Sequence, residues 1–224
     1  MQSDTNEYLD RNEMSLLDWE VLLESGWDRV GSFFFRRRYD VFRTMFEDAF
    51  ITYQLMPLRY NLQDFTFTKS QRIIQKRNAD LTRVYRPAFI DDEKLQLFDD
   101  WYLTRFYTEG SIFTWVSGTE LPFPTHEVCI YKYDKLIACS FFDVTPTAQY
   151  STLGMYDPNE KHRSLGTFSL ISEIEQGIMQ QKKYHYPGHA YYQNSMYDYK
   201  KQFNNMECFD WDISDWIALS RLIK

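Results

Sequence analysis

Residues 140–199 decide the fold, and they read SFFDVTPTAQYSTLGMYDPNEKHRSLGTFSLISEIEQGIMQQKKYHYPGHAYYQNSMYDY. Short β-prone runs lie at 140–144 and 150–156, and a third begins at Tyr184. A helix is predicted between the second and third runs, after a polar loop that contains Arg163. A strand that leads through a helix to a strand beside it forms a right-handed βαβ crossover. The stretch therefore predicts a mixed sheet with this crossover at its centre.

The start of the predicted helix is the first candidate site. The backbone N–H groups of a first helical turn lack partners within the helix, so we expect a phosphate or an acyl oxygen beside Gly166 and Thr167. The loop 162–167 matches half of R-x-x-G-x-G/A, the pyrophosphate loop of GNAT acyltransferases, through Arg163 and Gly166. Phe168 replaces the last small residue, and its bulk is expected to crowd the pyrophosphate of coenzyme A.

Composition bounds the class of protein. The chain has 224 residues, of which 44% are apolar and 18% aromatic, enough for one large domain or two small ones. No apolar run approaches the roughly 20 residues of a membrane span. The polar, acidic residues 1–14 do not form a signal peptide, and three cysteines cannot form a disulfide framework. We therefore expect a soluble, cytoplasmic protein without a membrane partner.

Charge is distributed unevenly. The net charge of −7 argues against a protein that coats nucleic acid non-specifically. Residues 69–86 nevertheless contain six basic residues and one acidic residue. Lys69, Arg72 and Lys76 fall on one face of a helix that Thr68 is expected to cap. This face indicates a localised anionic partner, and the alternative is a helix face that only contacts solvent.

The other predicted elements flank the central stretch. Helices are expected at 15–25, 68–78 and 91–108, strands at 30–35, 51–60 and 81–86, and a turn at 44–48. Pro57 places the second of these strands at an edge or at a bulge. Ile73 and Ile74 are expected on the buried side of the basic helix. A hairpin about Asp134 is expected to bring Cys129 and Cys139 face to face.

Several chemistries lack their sequence signatures. The chain contains no P-loop, GxGxxG, HExxH or GxSxG motif. His185 and His189 are four residues apart, but Pro187 and Gly188 between them prevent the helical geometry that would direct both at one metal. Ser169 has no His–Asp partners visible in the sequence, so a catalytic triad has no support. We therefore predict neither a metal site nor a cofactor.

Several short blocks, in order, resemble the C-terminal domain of aminoacyl-tRNA–protein transferases, the arginyl and leucyl transferases of the N-degron pathway. The resemblance covers roughly residues 15–213, and blocks in the right order are more specific than any single motif. The blocks are Met56-Pro-Leu-Arg, Lys69-Ser-Gln-Arg, Lys76-Arg-Asn, Asp143-Val-Thr-Pro, Tyr156-Asp-Pro, Arg163-Ser-Leu-Gly-Thr-Phe-Ser, Glu173-Ile-Glu and Tyr186-Pro-Gly.

The sequence departs from the family pattern in two respects. The family commonly carries an N-terminal cysteine cluster that binds zinc or an iron–sulfur cluster, whereas residues 1–128 contain no cysteine. Ile73 stands where the family usually has a second arginine, which weakens one anionic contact. Neither departure affects the catalytic half.

The resemblance implies an α+β fold: a GNAT-like mixed sheet with flanking helices and a small N-terminal α+β unit. It divides the chain into an N-terminal region, 1–86, and an aminoacyltransferase domain, 87–224. The implied reaction transfers leucine or arginine from aminoacyl-tRNA to the N-terminal amine of proteins that begin with aspartate or glutamate, which marks them for degradation. Because an aminoacyl ester is already activated, holding amine and ester together and stabilising the oxyanion is sufficient.

The resemblance also suggests roles for individual residues. The N–H groups near Gly166 and Thr167, with Ser169, receive the 3′-adenosine or the ester oxygen, and Arg163 contacts a phosphate. Asp143 orients the incoming ammonium or helps to deprotonate it. The alternative for Asp143 is a carboxylate that pairs with the following turn.

Further candidates lie on the crossover helix, in the tyrosine-rich segment and on the basic helix. Glu173, two turns into its helix, is a catalytic candidate whose alternative is solvent exposure or a structural pair. Three residues of the basic helix are expected to hold the tRNA acceptor stem or to recognise an acidic acceptor residue. These three are Arg72, Lys76 and Arg77, and the expected pocket-lining tyrosines are Tyr156, Tyr191 and Tyr199.

Two other classes of function remain open at this point. An acyl-CoA-dependent N-acetyltransferase would share the fold, although Phe168 and the basic helix speak against it. A non-catalytic module that binds tRNA or degron peptides would also retain the fold, and it would tolerate the loss of Asp143 and Arg163.

Overall fold

The computed structural model describes residues 6–10, 14–43, 50–116 and 123–219. Helices flank an extensive set of strands within them, so the predicted α+β class is confirmed. The helices are α1 (Leu16–Glu24), α2 (Lys69–Arg77), α3 (Asp92–Phe106) and α4 (Leu165–Met179). The strands are β1 (Asn6–Asp10), β2 (Asp28–Val30), β3 (Phe33–Arg37), β4 (Tyr39–Arg43), β5 (Phe50–Asn61), β6 (Thr82–Pro87), β7 (Thr125–Lys132), β8 (Lys135–Val144), β9 (Ala148–Tyr156), β10 (Tyr184–Tyr186), β11 (His189–Tyr191), β12 (Met206–Asp210) and β13 (Asp215–Ala218).

The main sheet contains the predicted crossover. Its strand order in the described residues is β13-β12-β5-β10-β9-β8-β7-β6, β4 and β11 also pair with β5, and β1, β3 and β2 form a separate small sheet. Strand β9 leads into α4, and β10 returns parallel to β9. Strand β5 comes from the predicted region 1–86 and lies inside this sheet, so the regions 1–86 and 87–224 both contribute strands to it. The division of the chain between these two regions stays a prediction.

Helix α4 is held against the sheet by its apolar residues. Ile171 belongs to the same buried cluster as Leu58 of β5, and Phe168 belongs to a second cluster with Val128 of β7. Burial of one such side chain contributes about 1.5–3 kcal/mol. Helix α2 packs on α4 from the outside, so the start of α4 is fixed between the sheet and the basic helix.

The hairpin of β7 and β8 forms as predicted. Cys129 and Cys139 are in register, their Sγ atoms lie 3.7 Å apart, and both thiols are free and buried. The helix with Thr68 as its cap is also confirmed, because Thr68 and Gln71 form a complete capping box. The expectation that Ile73 faces the core is wrong, since its side chain is 48% exposed and Gln71 is the residue buried on that helix.

Three other expectations about elements need correction. Pro57 lies on a strand inside the sheet and not on an edge strand. The Leu58 amide donates to the Gly188 carbonyl on one side of β5, so the nitrogen of Pro57 faces the other side. Pairing with β12 on that side ends at Leu58, and proline is therefore tolerated. The strand expected at 30–35 is divided between β2 and β3, because the chain turns at Gly31 with φ +58°. Helix α3 ends at Phe106, before the left-handed Tyr107. The turn expected at 44–48 lies outside the described residues.

Candidate active site

A cavity of about 1250 Å³ opens where the crossover meets the N-terminal strands. Its walls are the first turn of α4, the strand β9, the segment from β2 to β4, and the segment between Pro187 and Lys200. Most of the predicted site residues line it: Gly166, Thr167, Ser169, Glu173, Tyr156, Tyr191 and Tyr199. The structure therefore brings the start of α4, its second turn and the tyrosines together around one space.

The first turn of α4 presents donors to this cavity. Ser164, the N-cap residue, is left-handed and its side chain caps no amide, so the first-turn amides of Gly166 and Thr167 have no partner within the helix. The Ser169 hydroxyl is buried and has no hydrogen-bond partner among the described residues. A Cβ atom on Gly166 would lie 3.1 Å from the ring of Tyr156, so glycine allows this turn to approach β9.

Glu173 is a buried carboxylate on the cavity wall. It is 2% exposed, it accepts from the hydroxyls of Ser140 and Ser151, and its Oε2 lies 3.5 Å from Nε2 of His185. Burial raises the pKa of Glu173 to about 7, although the two hydroxyls act in the opposite direction. Burial also lowers the pKa of His185 to about 3, so this imidazole is neutral. Glu173 can therefore take up and release a proton near neutral pH.

Asp143 lies outside the cavity lining, in a buried ion pair. Its two carboxylate oxygens lie 2.6 and 2.8 Å from the guanidinium nitrogens of Arg29. Trp19 Nε1 donates to it over 3.2 Å, and the Thr125 hydroxyl donates over 3.0 Å. Arg29 itself lines the cavity. Asp143 therefore connects the N-terminal segment to β8 and does not face the space where the other candidates meet.

Arg163 is also committed to protein partners. Its guanidinium bonds both oxygens of Asp80 at 2.9 and 3.0 Å and Oε2 of Glu160 at 2.9 Å. Arg77 donates to the carbonyl of His162 over 2.7 Å. These contacts attach the C-terminal end of α2 to the loop before α4.

The basic face of α2 is exposed. Arg72, Lys76 and Arg77 are all exposed, together with Lys69, although Arg72 and Arg77 each also donate to a backbone carbonyl. The loop that Arg77 contacts includes Lys161 and Ser164, which line the cavity, so the basic face continues to the cavity rim.

Phe168 does not crowd this space. Its ring is 3% exposed and packs in the core with Leu165. The expectation that its bulk crowds the pyrophosphate of coenzyme A is therefore wrong, because the side chain points into the core and does not line the cavity.

The structure adds three cavity residues that sequence reasoning missed, Asp28, His189 and Lys200. Asp28 accepts from the Tyr150 hydroxyl and contacts Nδ1 of His189. Lys200 Nζ donates to the His189 carbonyl oxygen over 3.1 Å, and burial lowers the pKa of Lys200 to about 8. The available signal for Lys200 was its place at the end of a tyrosine-rich segment, which does not show that the residue lies in the same cavity as Asp28.

One buried group of potential metal ligands lies beside cationic side chains. The donor atoms of Glu127, Cys129 and Cys139 lie within 4.8 Å of one another. The Glu127 carboxylate is already paired with Arg86 Nε at 2.7 Å and with Lys94 Nζ at 3.3 Å. A metal ion would have to replace these cations, so the group does not fit one.

The crossover and the cavity at the start of its helix belong to an α+β fold with a large mixed sheet, as predicted. The structure of L-PGS from Bacillus licheniformis shares this fold, with a TM-score of 0.53 and 15% identity over 68% of this chain and 58% of that chain. In the described part of the chain, no helix is both long and apolar enough to cross a membrane.

The family follows from the sequence comparisons. The family model for "Arginine-tRNA-protein transferase, C terminus" matches residues 66–210. The aspartate/glutamate leucyltransferase of Saccharophagus degradans is 25% identical over 69% of this chain and 68% of its own length. Its counterpart in Pseudomonas putida is 29% identical over 68% of this chain and 67% of its own length. The chain belongs to the aminoacyl-tRNA–protein transferase family and is an enzyme, which confirms the resemblance of the sequence blocks.

Proposed function

We propose that this protein transfers leucine from Leu-tRNA to the N-terminal amine of proteins that begin with aspartate or glutamate, and thereby directs them to degradation. The names of the relatives support leucine and the acidic acceptors. The observation that carries the proposal is the shared cavity, in which the free first turn of α4 and the buried Glu173 face one space.

The aromatic part of the cavity supports leucine over arginine as the transferred residue. The rings of Phe35, Phe42 and Tyr191 line it and offer apolar surface to a branched aliphatic side chain. The carboxylate in this part, Asp40, already pairs with Arg37 Nε at 2.5 Å and accepts from the Tyr191 hydroxyl over 2.6 Å. The guanidinium of a transferred arginine would therefore compete with Arg37 for the carboxylate of Asp40.

The start of α4 serves the ester. Three groups donate to the carbonyl oxygen of the ester, on which negative charge develops during attack. They are the amides of Gly166 and Thr167 and the hydroxyl of Ser169. The first-turn amides have no partner within the helix, and the Ser169 hydroxyl has none in the described part of the chain, so these donors need no rearrangement when the substrate arrives. Tyr156 and Tyr199 form the wall against which the terminal adenosine packs.

Glu173 serves the amine. It accepts a proton from the acceptor ammonium, and the free amine attacks the ester carbonyl carbon. The new C–N bond forms as the C–O bond to the ribose breaks, and the proton that Glu173 took up passes to the leaving 3′ oxygen. The second proton, which the attacking nitrogen loses as it becomes an amide, is taken up by the Glu173 carboxylate and released to water. Asp143 acts as a positioning residue in this scheme, because it holds the Arg29 guanidinium at the cavity wall.

The basic face of α2 supplies the contact with tRNA. Arg72, Lys76 and Arg77 follow the phosphates of the acceptor stem as it approaches the rim. Arg163, whose donors are used by Asp80 and Glu160, fixes the loop between α2 and α4 and does not bind phosphate directly.

A transfer assay with radiolabelled Leu-tRNA and an Asp-initial peptide tests the mechanism. Glu173→Gln should lower the single-turnover rate at pH 7.5 at least 100-fold, in line with loss of a general base. Glu175→Gln is the matched control, because Glu175 lies on the same helix and pairs with Arg83 outside the reaction. A Glu173→Gln enzyme within threefold of wild type would exclude Glu173 as the base.

Acetyl-CoA and binding of Leu-tRNA provide the controls for the two other classes of function. Acetyl transfer from acetyl-CoA to the same peptide would favour the acetyltransferase. Tight binding of Leu-tRNA without transfer from Leu-tRNA or Arg-tRNA would favour the binding module.

A further inference from the structure

The ammonium of Lys200 lies in the cavity and has no ion-pair partner within the described ranges. Its Nζ donates to the carbonyl oxygen of His189 over 3.1 Å and lies 4.8 Å from the ring centroid of Tyr197. Among the residues that the structure describes, no carboxylate oxygen lies within 4.0 Å of this nitrogen. An ammonium has three N–H donors, so two of them remain for a ligand.

The carboxylates nearest in the cavity are engaged elsewhere. Asp28 contacts His189 and accepts from Tyr150, and Glu173 accepts from two serine hydroxyls. The charges of Asp28 and Glu173 nevertheless act on Lys200, since both raise its pKa against the effect of burial. The cation is thus stabilised at this position and keeps its hydrogen-bonding capacity.

The space beside Lys200 is open because of Gly188. This residue has φ +77°, and a Cβ atom on it would lie 3.7 Å from Lys200 Nζ and 3.8 Å from Asp28 Oδ2. A small group that enters above Gly188 therefore meets an ammonium on one side and a carboxylate on the other. The first residue of an acidic acceptor carries complementary charges, an amine and a carboxylate a few bonds apart.

We propose that Lys200 determines acceptor specificity by binding the side-chain carboxylate of the acceptor's first residue, while the amine of that residue faces the carboxylates of the same cavity, Asp28 and Glu173. This inference rests on the proposed function only in taking a protein N-terminus as the ligand. A charge-assisted hydrogen bond to Lys200 would distinguish aspartate from asparagine, which has the same shape.

Calorimetric titration without tRNA tests the proposal. Two peptides that differ only in Asp or Asn at the first position are titrated into the wild-type enzyme. We expect the Asp peptide to bind at least tenfold more tightly, and we expect Lys200→Met to reduce this ratio to about one. Lys201→Met is the matched control, because Lys201 pairs with Asp198 outside the cavity lining and should leave the ratio unchanged.

A pH series on the wild type needs no variant and covers the case in which Lys200→Met does not fold. Because burial lowers the pKa of Lys200 to about 8, the Asp-to-Asn affinity ratio should fall towards one between pH 7 and 9.5. The amine of both peptides titrates alike and cancels in the ratio. The other titratable or charged groups around this ammonium are Asp28, Glu173, Arg105, His189, Tyr197 and Tyr199.

The possible results distinguish the role of Lys200 in acceptor specificity from the proposed transfer reaction. A ratio that persists in folded Lys200→Met, or at pH 9.5, would overturn the role of Lys200, as would a wild type that binds both peptides equally. Lys200-dependent binding without any transfer from Leu-tRNA would leave the specificity claim standing and remove the proposed reaction. Equal transfer of leucine to both peptides would support the proposed reaction and remove the specificity claim.

Discussion

Glu173→Gln should change how stability depends on pH. The buried carboxyl has a pKa of about 7 in the folded protein, against 4.5 for an ordinary glutamate. Since the folded-state pKa is raised, the folded state binds the extra proton, and the associated stability is complete below pH 4.5 and is lost as pH rises through 7. One pKa unit corresponds to about 1.4 kcal/mol, so the loss between pH 5 and pH 8 is about 2.5 kcal/mol.

Urea unfolding at pH 5, 6, 7 and 8 measures this effect. The free energy of unfolding of the wild type should fall by about 2.5 kcal/mol relative to that of Glu173→Gln across this range. Glu175→Gln should follow the wild type, because its carboxylate is paired with Arg83 at the surface. If the curves of wild type and Glu173→Gln run parallel, Glu173 is not protonated near neutral pH and the assignment of the base is refuted.

Three further changes probe other parts of the molecule. Asp143→Ala should lower the free energy of unfolding in urea by about 3–5 kcal/mol, because it leaves the buried Arg29 unpaired; a loss below 1 kcal/mol would contradict that role. Thr68→Ala removes the capping box of α2 and should cost about 1 kcal/mol in thermal unfolding; an unchanged melting temperature would argue against the cap. Exchange of Arg72 and Lys76 for glutamine should reduce the salt-dependence slope of tRNA binding in filter assays by about 1.5; an unchanged slope would place the tRNA elsewhere.

The crossover was predictable because its signals are local. Pro158 ends the strand β9, and the apolar residues of α4 repeat at helical spacing. The capping box at Thr68 likewise lies within four residues of sequence. Elements of this kind are determined by neighbours along the chain, so periodicity and turn residues are sufficient to find them.

The site was predictable only in part, because its contacts join distant segments. The Arg29–Asp143 pair spans 114 residues, and nothing near Asp143 in the sequence identifies its partner. Asp28 and His189, which contact each other in the cavity, are 161 residues apart. Pro57 looked like an edge residue since the sequence does not show which side of the strand its nitrogen faces.

The most direct test of the central claim is a transfer assay with radiolabelled Leu-tRNA and Arg-tRNA against peptides that begin with Asp, Glu, Lys or Ala. We expect incorporation from Leu-tRNA into the Asp and Glu peptides and little into the others. Incorporation from Arg-tRNA alone would contradict the assignment of leucine. No incorporation from either donor into any peptide would contradict the proposed reaction itself.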